Sequence, residues 1–318
     1  MAVDWIDGAL RSLNPSLLDH PPPCEEVTGS DLCYVDIQCN ELPHGQRCVI
    51  GSWYLSSQRH ILEFVLVTFV CLLTFQILTP PSRCTKVVKK NHHHQTLSLQ
   101  PPTWLTFHSI LCTSITVAYK TMGYSGKILF MAMPCNTIWI LYSLICLGLQ
   151  FGIMSEYAAH VLLQISASYM SLVALALATP DLGDLVQPFE VYWFFLSHVM
   201  LFFMPLYYIF SGRISTLGTV VSFMKWWWLS CTFFSLYYVT IITPVSIVSG
   251  FNLNYMLSPP PLPVDFVTGE DFRIISMVFV FSVFFGMRVF ITFLECAIRW
   301  VFGGSTVSRT SDTFKKEN

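Results

Sequence analysis

Residues 61–79 read ILEFVLVTFVCLLTFQILT, a run with one acid, Glu63, near its start and no basic residue. A helix rising 1.5 Å per residue needs about 20 such residues to cross a hydrocarbon layer roughly 30 Å thick, so Ile61–Thr79 predicts a membrane-spanning helix. Working outward, six more stretches have the same character: Trp104–Tyr124, Ile128–Leu149, Tyr157–Thr179, Val191–Phe210, Ser222–Val248 and Arg273–Val301. Each is continuously apolar and does not alternate with period two, which excludes a transmembrane β-barrel. Composition agrees. The 318 residues are 53% hydrophobic and 11% charged, against roughly 25% charged in soluble domains. The expected fold is an all-α, polytopic membrane bundle of about seven transmembrane helices. Residues 1–60 form a Cys-rich tail, 61–301 the transmembrane domain and 302–318 a second tail.

The placement of Lys and Arg predicts orientation. Arg83, Lys86, Lys89 and Lys90 follow the first span, while Arg47 and Arg59 precede it. Arg213 to Lys225 and the tail with Arg309, Lys315 and Lys316 fall on the same side as the first basic loop. Asp181, Asp184 and Glu190, and then Asp265, Glu270 and Asp271, mark the other side. With an odd number of spans, the N-terminus is expected to be luminal or extracellular and the C-terminus cytosolic. Cys24, Cys33, Cys39 and Cys48 then lie together on the oxidising side and are disulfide candidates, their three possible connectivities open. Met1 to Leu13 lacks the basic and apolar regions of a cleaved signal, so the first span is expected to act as its own insertion signal. His92, His93 and His94 are adjacent and cannot converge on one ion as spaced ligands do; no metal, cofactor or nucleic-acid partner is expected. Ser258–Pro263 predicts a rigid extended linker.

Polar groups inside hydrocarbon are costly and direct attention to function. His198 lies eight residues beyond Glu190 in the fifth span, among aromatics. Cys135 lies eight residues beyond Lys127 in the third span, after Pro134. Both spans run in the same direction, so at 1.5 Å per residue each group is expected roughly 12 Å below the same surface. A thiol and an imidazole at one depth supply a nucleophile and its base. The plain alternatives are a histidine that hydrogen-bonds a neighbouring helix and a thiol that packs as a small hydrophobe. Glu156, His160 and Gln164 share a helix face, as do Arg288 and Glu295; the first three are expected to join helices and the latter pair to be structural. Trp226, Trp227 and Trp228 predict an interfacial belt.

At these residues the chain resembles the transmembrane protein 164 family, membrane acyltransferases that remodel ether phospholipids. The resemblance is carried by Pro134-Cys135, by Pro188-Phe189-Glu190 with His198-Val199-Met200-Leu201 and Pro205, and by Asn252-Leu253-Asn254 with Met256-Leu257. It implies a cysteine-dependent transfer of a polyunsaturated acyl chain from phosphatidylcholine to a lysophospholipid, an ether phosphatidylethanolamine in particular. Carried over by position, Cys135 is the acyl-accepting nucleophile and His198 its partner. Asn252, Asn254 and Glu190 are assigned to substrate positioning. Phospholipid and lysophospholipid in the lipid bilayer are the expected partners, and the endoplasmic reticulum or Golgi is the expected location. The chain departs from the family at Met133, Asn136 and, approximately, Tyr238. A seven-helix receptor or a transporter is the alternative. No acidic-Arg-aromatic triplet closes the third span and no Asn-Pro-x-x-Tyr lies in the last, which disfavours the receptor; a path along Glu156, His160, Arg288 and Glu295 would favour the transporter.

Overall fold

A computed structural model describes residues 57–78, 98–123, 126–183, 185–249, 252–256 and 271–303. The four candidate disulfide cysteines, the histidine triplet, the proline-rich linker and most of both tails lie outside these residues. The described chain is helical: α1 (Ser57–Leu78), α2 (Thr103–Thr121), α3 (Pro134–Gln150), α4 (Glu156–Ala178), α5 (Glu190–Phe210), α6 (Val220–Tyr237), α7 (Thr243–Ser249) and α8 (Phe272–Gly303). Helices α1, α4, α5, the joined α6–α7 rod and α8 are long and apolar enough to cross a membrane. The chain is a polytopic helical membrane protein. Large apolar side chains such as Leu62, Phe69, Ile77, Phe203 and Phe293 face outward, as they do when lipid is the solvent and burial is no longer driven by water.

Helix α3 is short, and α2 carries many hydroxyls that turn back on their own backbone. Ser109 Oγ donates to Thr106 O at 2.9 Å and Thr116 Oγ1 to Cys112 O at 2.8 Å. Polar contacts show how the passes alternate. At one face of the bundle Ser98 Oγ donates to Glu156 Oε1 (3.2 Å), Gln100 Nε2 to Leu149 O (2.8 Å) and Arg213 Nη1 to Ser98 O (3.0 Å). At the opposite face Lys127 and Lys120 meet Glu190, Arg273 meets Glu63, and Tyr255 meets Asp181.

Two of the expected spans are not continuous α-helices. Proline disfavours helical geometry in the residue before it, so Met133 is extended (φ −64°, ψ 143°) and separates a 3₁₀ segment, Lys127–Ala132, from α3, which Pro134 begins. Between α6 and α7 the chain makes a π turn, Tyr238–Ile242, in which the Thr243 N–H reaches back to Tyr238 O. Pro244 follows and has no N–H for the Thr240 carbonyl, which is the kind of local cause that widens or kinks a helix.

Helix α4 is central and packs against α3, α5, α6 and α8. Its small residues allow close approach: Ser166 Oγ receives the Tyr142 hydroxyl at 3.0 Å, and Ser168 Oγ receives Ser230 Oγ at 3.0 Å. The expected helix-joining role of Glu156, His160 and Gln164 is visible here. His160 packs edge-on against Trp226, and Gln164 Oε1 accepts from Arg288 Nη2 at 2.7 Å. Trp227 does more than mark an interface, because its Nε1 donates to Phe281 O at 2.9 Å and joins α6 to α8. Arg288 does not pair with Glu295. It is 1% exposed and also donates to Gln164 O, while Glu295 accepts from Ser215, from Thr216 and from Arg299. Each group thus has its own packed partner rather than a share in a common path.

Two ionic arrangements hold the passes at fixed heights. Glu190, 2% exposed, accepts from Lys127 Nζ at 2.6 Å and Lys120 Nζ at 3.4 Å, joining the starts of α3 and α5 to the end of α2. Removing the carboxylate leaves two buried ammoniums, so Glu190→Leu is expected to cost about 3–5 kcal/mol, with Lys120→Met costing less, as read by unfolding in detergent micelles. Arg288 gives a second expectation of opposite logic. Gln164→Leu strips a buried cation of its side-chain acceptor and should cost about 2–3 kcal/mol, whereas Arg288→Met removes the cation itself and should cost less in the same measurement.

Candidate functional site

The Glu190 clamp sets the geometry beneath it. Phe189 precedes it in a left-handed conformation (φ 64°), an uncommon state for a bulky residue. That turn lets the Glu190 side chain fold back, so that Oε2 also accepts the Gln187 N–H at 3.1 Å. Lys127 and Glu190 therefore stand at one height, and the chain descends from each, into α3 and α5. A lower contact ties the same two helices, where the Cys146 thiol lies 3.6 Å from the Tyr208 hydroxyl.

Cys135 and His198 lie between these two ties. Each is eight residues beyond its clamp residue, and they precede Cys146 and Tyr208 by eleven and ten residues respectively. Eleven residues are close to three turns, so Cys135 shares a face of α3 with Cys146, the face turned to α5. On α5, Glu190 and Tyr208 define the line facing α3, and His198 stands roughly 80° around from it at 100° per residue. Trp193 and Met200 lie on the other side of that line, where they touch α2: Trp193 Nε1 donates to Thr116 Oγ1 at 3.1 Å, and Met200 Sδ lies 3.9 Å from Cys112 Sγ. The two residues thus lie on neighbouring helices, Cys135 after a 3₁₀ segment and an extended Met133 and His198 within continuous α-helix. Among the described residues no hydrogen bond joins Cys135 Sγ to His198, whose Nδ1 is engaged by Phe194 O.

The state of His198 follows from its partners. It is 6% exposed, and its Nδ1 lies 2.7 Å from Phe194 O, with the Phe194 ring stacked 4.1 Å from the imidazole. A carbonyl only accepts, so Nδ1 carries the proton and Nε2 keeps its lone pair. A neutral imidazole held in that tautomer is a base. Cys135 is half-buried and not in a disulfide. It is the second residue of α3, among the free N–H groups of the helix start.

The remaining candidates lie at the same end of the bundle. Glu190 is fully engaged in the clamp. Asn252 opens the 3₁₀ turn Leu253–Tyr255, its carbonyl accepting the Tyr255 N–H at 3.3 Å. Asn254 is left-handed (φ 50°, ψ 37°) and donates from Nδ2 to the Tyr238 hydroxyl at 2.5 Å. Two groups that sequence reasoning did not single out join this end. Tyr237 donates to Ala132 O at 2.5 Å and meets Thr137 Oγ1 at 2.7 Å, so it braces the break at Met133. The Tyr238 ring lies 4.1 Å from that of Phe234. The signal that could have found them is Pro244, which implies a distorted turn just where two tyrosines occur. A second thiol–imidazole pair lies within α2, where His108 Nε2 is 3.8 Å from Cys112 Sγ. Cys112 is 2% exposed, packed in the apolar core.

Comparison with known proteins gives one family. A curated relative, "Transmembrane protein 164 homolog" from Dictyostelium discoideum, is 25% identical over 258 residues, which cover 79% of this chain and 89% of that protein. No solved structure matches. The model of the TMEM164 family matches residues 54–289, a segment that begins just before α1 and ends within α8. The match runs across the clamp, across Pro134-Cys135 and across His198, and the chain belongs to the TMEM164 family.

Proposed function

We propose that this protein is a membrane-embedded phospholipid acyltransferase that moves an acyl chain through a thioester on Cys135. The observation that supports the proposal is the fixed tautomer of His198, which leaves a basic Nε2 on α5, a neighbour of the helix that begins at Pro134-Cys135. Phospholipid esters are presented by the bilayer itself, and a site half-way into one leaflet meets them without drawing them into water. The chain's resemblance to the transmembrane protein 164 family supports a polyunsaturated acyl group, phosphatidylcholine as donor and a lyso ether-phosphatidylethanolamine as acceptor.

The steps balance with these residues alone. His198 Nε2 takes the Cys135 proton, and the sulfur attacks the donor ester carbonyl to form a C–S bond. The tetrahedral intermediate collapses with cleavage of the C–O bond, and the departing glycerol oxygen takes the proton from the imidazolium. The acceptor alcohol then gives its proton to His198 and attacks the thioester, and the sulfur leaves as thiolate and is reprotonated. The distribution of Lys and Arg supports a site in the luminal leaflet, with the N-terminus luminal and the C-terminus cytosolic. Lipid remodelling fits the endoplasmic reticulum or Golgi.

The test uses purified full-length protein in detergent with phosphatidylcholine and lysolipid, and product is followed by mass spectrometry. Cys135→Ala is expected to fall to background. The His198→Ala protein is expected to lose about 10²–10⁴-fold in rate. The wild-type peptide containing Cys135 should carry an acyl mass that hydroxylamine removes. Wild-type turnover by Cys135→Ala would end the thioester mechanism.

A further inference from the structure

The seam between α2 and α5 brings three metal-ligating side chains to one point. His108 and Cys112 are four residues apart on α2, the spacing that sets two ligands on one face of a helix. Cys112 Sγ lies 3.8 Å from His108 Nε2 and 4.0 Å from His108 Nδ1. From the other side, Met200 Sδ on α5 comes within 3.9 Å of the same sulfur. Among the described residues, these two sulfurs and the imidazole nitrogens have no polar partners but one another.

Such separations are those of ligands gathered around one ion. With bonds of about 2.0 Å to nitrogen and about 2.3 Å to sulfur, two ligands about 120° apart stand about 3.7 Å from each other for N and S, and about 4.0 Å for S and S. The observed 3.8 Å and 3.9 Å match both. The helices that carry the ligands are fixed. Along the same seam Trp193 Nε1 donates to Thr116 Oγ1 at 3.1 Å, and Thr113 Oγ1 meets Ser143 Oγ at 2.8 Å, tying α2 to α5 and to α3. The His108 ring packs edge-on against Trp139. Sites built on helices in this way hold their geometry better than sites on loops.

Ligand type and charge select the ion. Thiolate and thioether are soft donors that suit monovalent copper. Zinc in structural sites takes four ligands, and among the described residues His, Cys, Asp and Glu alone form no group of three that could hold a metal. Cys112 is 2% exposed, and a net charge left there would be costly. Cu(I) on one thiolate is neutral, whereas a divalent ion would strand a positive charge. Acylation, the other chemistry of a thiol beside an imidazole, makes no use of Met200 and would force an acyl chain into the packed core. We propose that Cys112, Met200 and His108 form a three-coordinate site for Cu(I), separate from Cys135 and His198 and independent of the acyl-transfer reading. Binding breaks the Cys112 S–H bond and forms a Cu–S bond, the proton leaves to water, and the metal stays Cu(I). His108 is half-buried and lies one turn nearer the start of α2, the end at which Arg213 binds Gln100 O, so it is the ligand that an entering ion meets first.

The experiment titrates full-length, purified, reduced protein in detergent with Cu(I), without oxygen, against the coloured Cu(I) chelator bicinchoninate. Wild type is compared with Cys112→Ala, Met200→Leu and His108→Phe. The other cysteines are the same in all of these proteins, so differences among them report this site. Wild type is expected to hold one Cu(I) more than Cys112→Ala. Met200→Leu and His108→Phe are each expected to weaken that Cu(I) by more than the about 10–100-fold that loss of a metal's outer partner costs. Equal stoichiometry in wild type and Cys112→Ala overturns the site. Wild-type affinity in either Met200→Leu or His108→Phe also overturns it, since fewer ligands would then account for the binding. Met200→Leu conserves volume and so preserves the core. Should Cys112→Ala fail to fold, Met200→Leu decides: the expected weakening supports the site, and an unchanged affinity overturns it.

Discussion

A carboxylate withdrawn from water must be met by charge or by several donors, and Glu190 is met by both. Two ammoniums and a backbone amide converge on it, from the end of α2, the approach to α3 and the turn before α5. In a protein dissolved in lipid there is little apolar driving force to hold helices in register, since the surroundings are as apolar as the side chains. An ion cluster of this kind resists sliding, because moving any one helix by a turn would strand a charge. Cys135 and His198 each follow one of the paired residues by eight positions, Cys135 across the 3₁₀ segment and the break at Met133. The Cys146–Tyr208 contact repeats the tie at the other end.

The rest of the bundle divides its polar groups by the same rule of satisfaction. Small hydroxyl residues on α4 meet Tyr142 and Ser230 and bring four helices close to one axis. Arg288, Gln164 and Glu295 occupy the half of the bundle nearer Arg213, each enclosed by its own partners. The His198 Nε2 lone pair, the base of the proposed reaction, lies in the other half. Among the described residues, buried Arg288 Nε, the Tyr169 hydroxyl and Thr106 Oγ1 also have no hydrogen-bond partner.

Much of this was legible in the chain. The seven apolar stretches correspond to helical segments, five of which are long and apolar enough to cross a membrane, because hydrocarbon thickness imposes a length on a spanning helix. The equal spacing of Cys135 and His198 from Lys127 and Glu190 was likewise visible, but the 3₁₀ segment and the extended Met133 were not, and they change the rise from Lys127 to Cys135. That Lys127 and Glu190 pair was not visible, because a long lysine can reach several helices and sequence does not say which. Asn254 looked like a residue for a head group or an oxyanion, and the structure shows its amide spent on Tyr238. Tyr238 was noted only as a departure from the family pattern, and the turn it begins was not visible: helical periodicity assumes 3.6 residues per turn, and the π turn breaks that count where the two tyrosines occur. Its cause, Pro244, lies six residues downstream of the residue it displaces.

A π turn holds one residue more than the α-helical turn it replaces. Excising a single position between Tyr238 and Ile242 would let α6 and α7 heal into one regular rod. Everything after the repair would then swing by about 100° about the helix axis and drop by 1.5 Å. The Leu253–Tyr255 turn would be carried with it, since only Gly250 and Phe251 separate α7 from Asn252. The extra residue therefore acts as a phase shifter between the rod and the Leu253–Tyr255 turn, and the chain's length at this point matters to the position of that turn as much as the identity of any side chain in it.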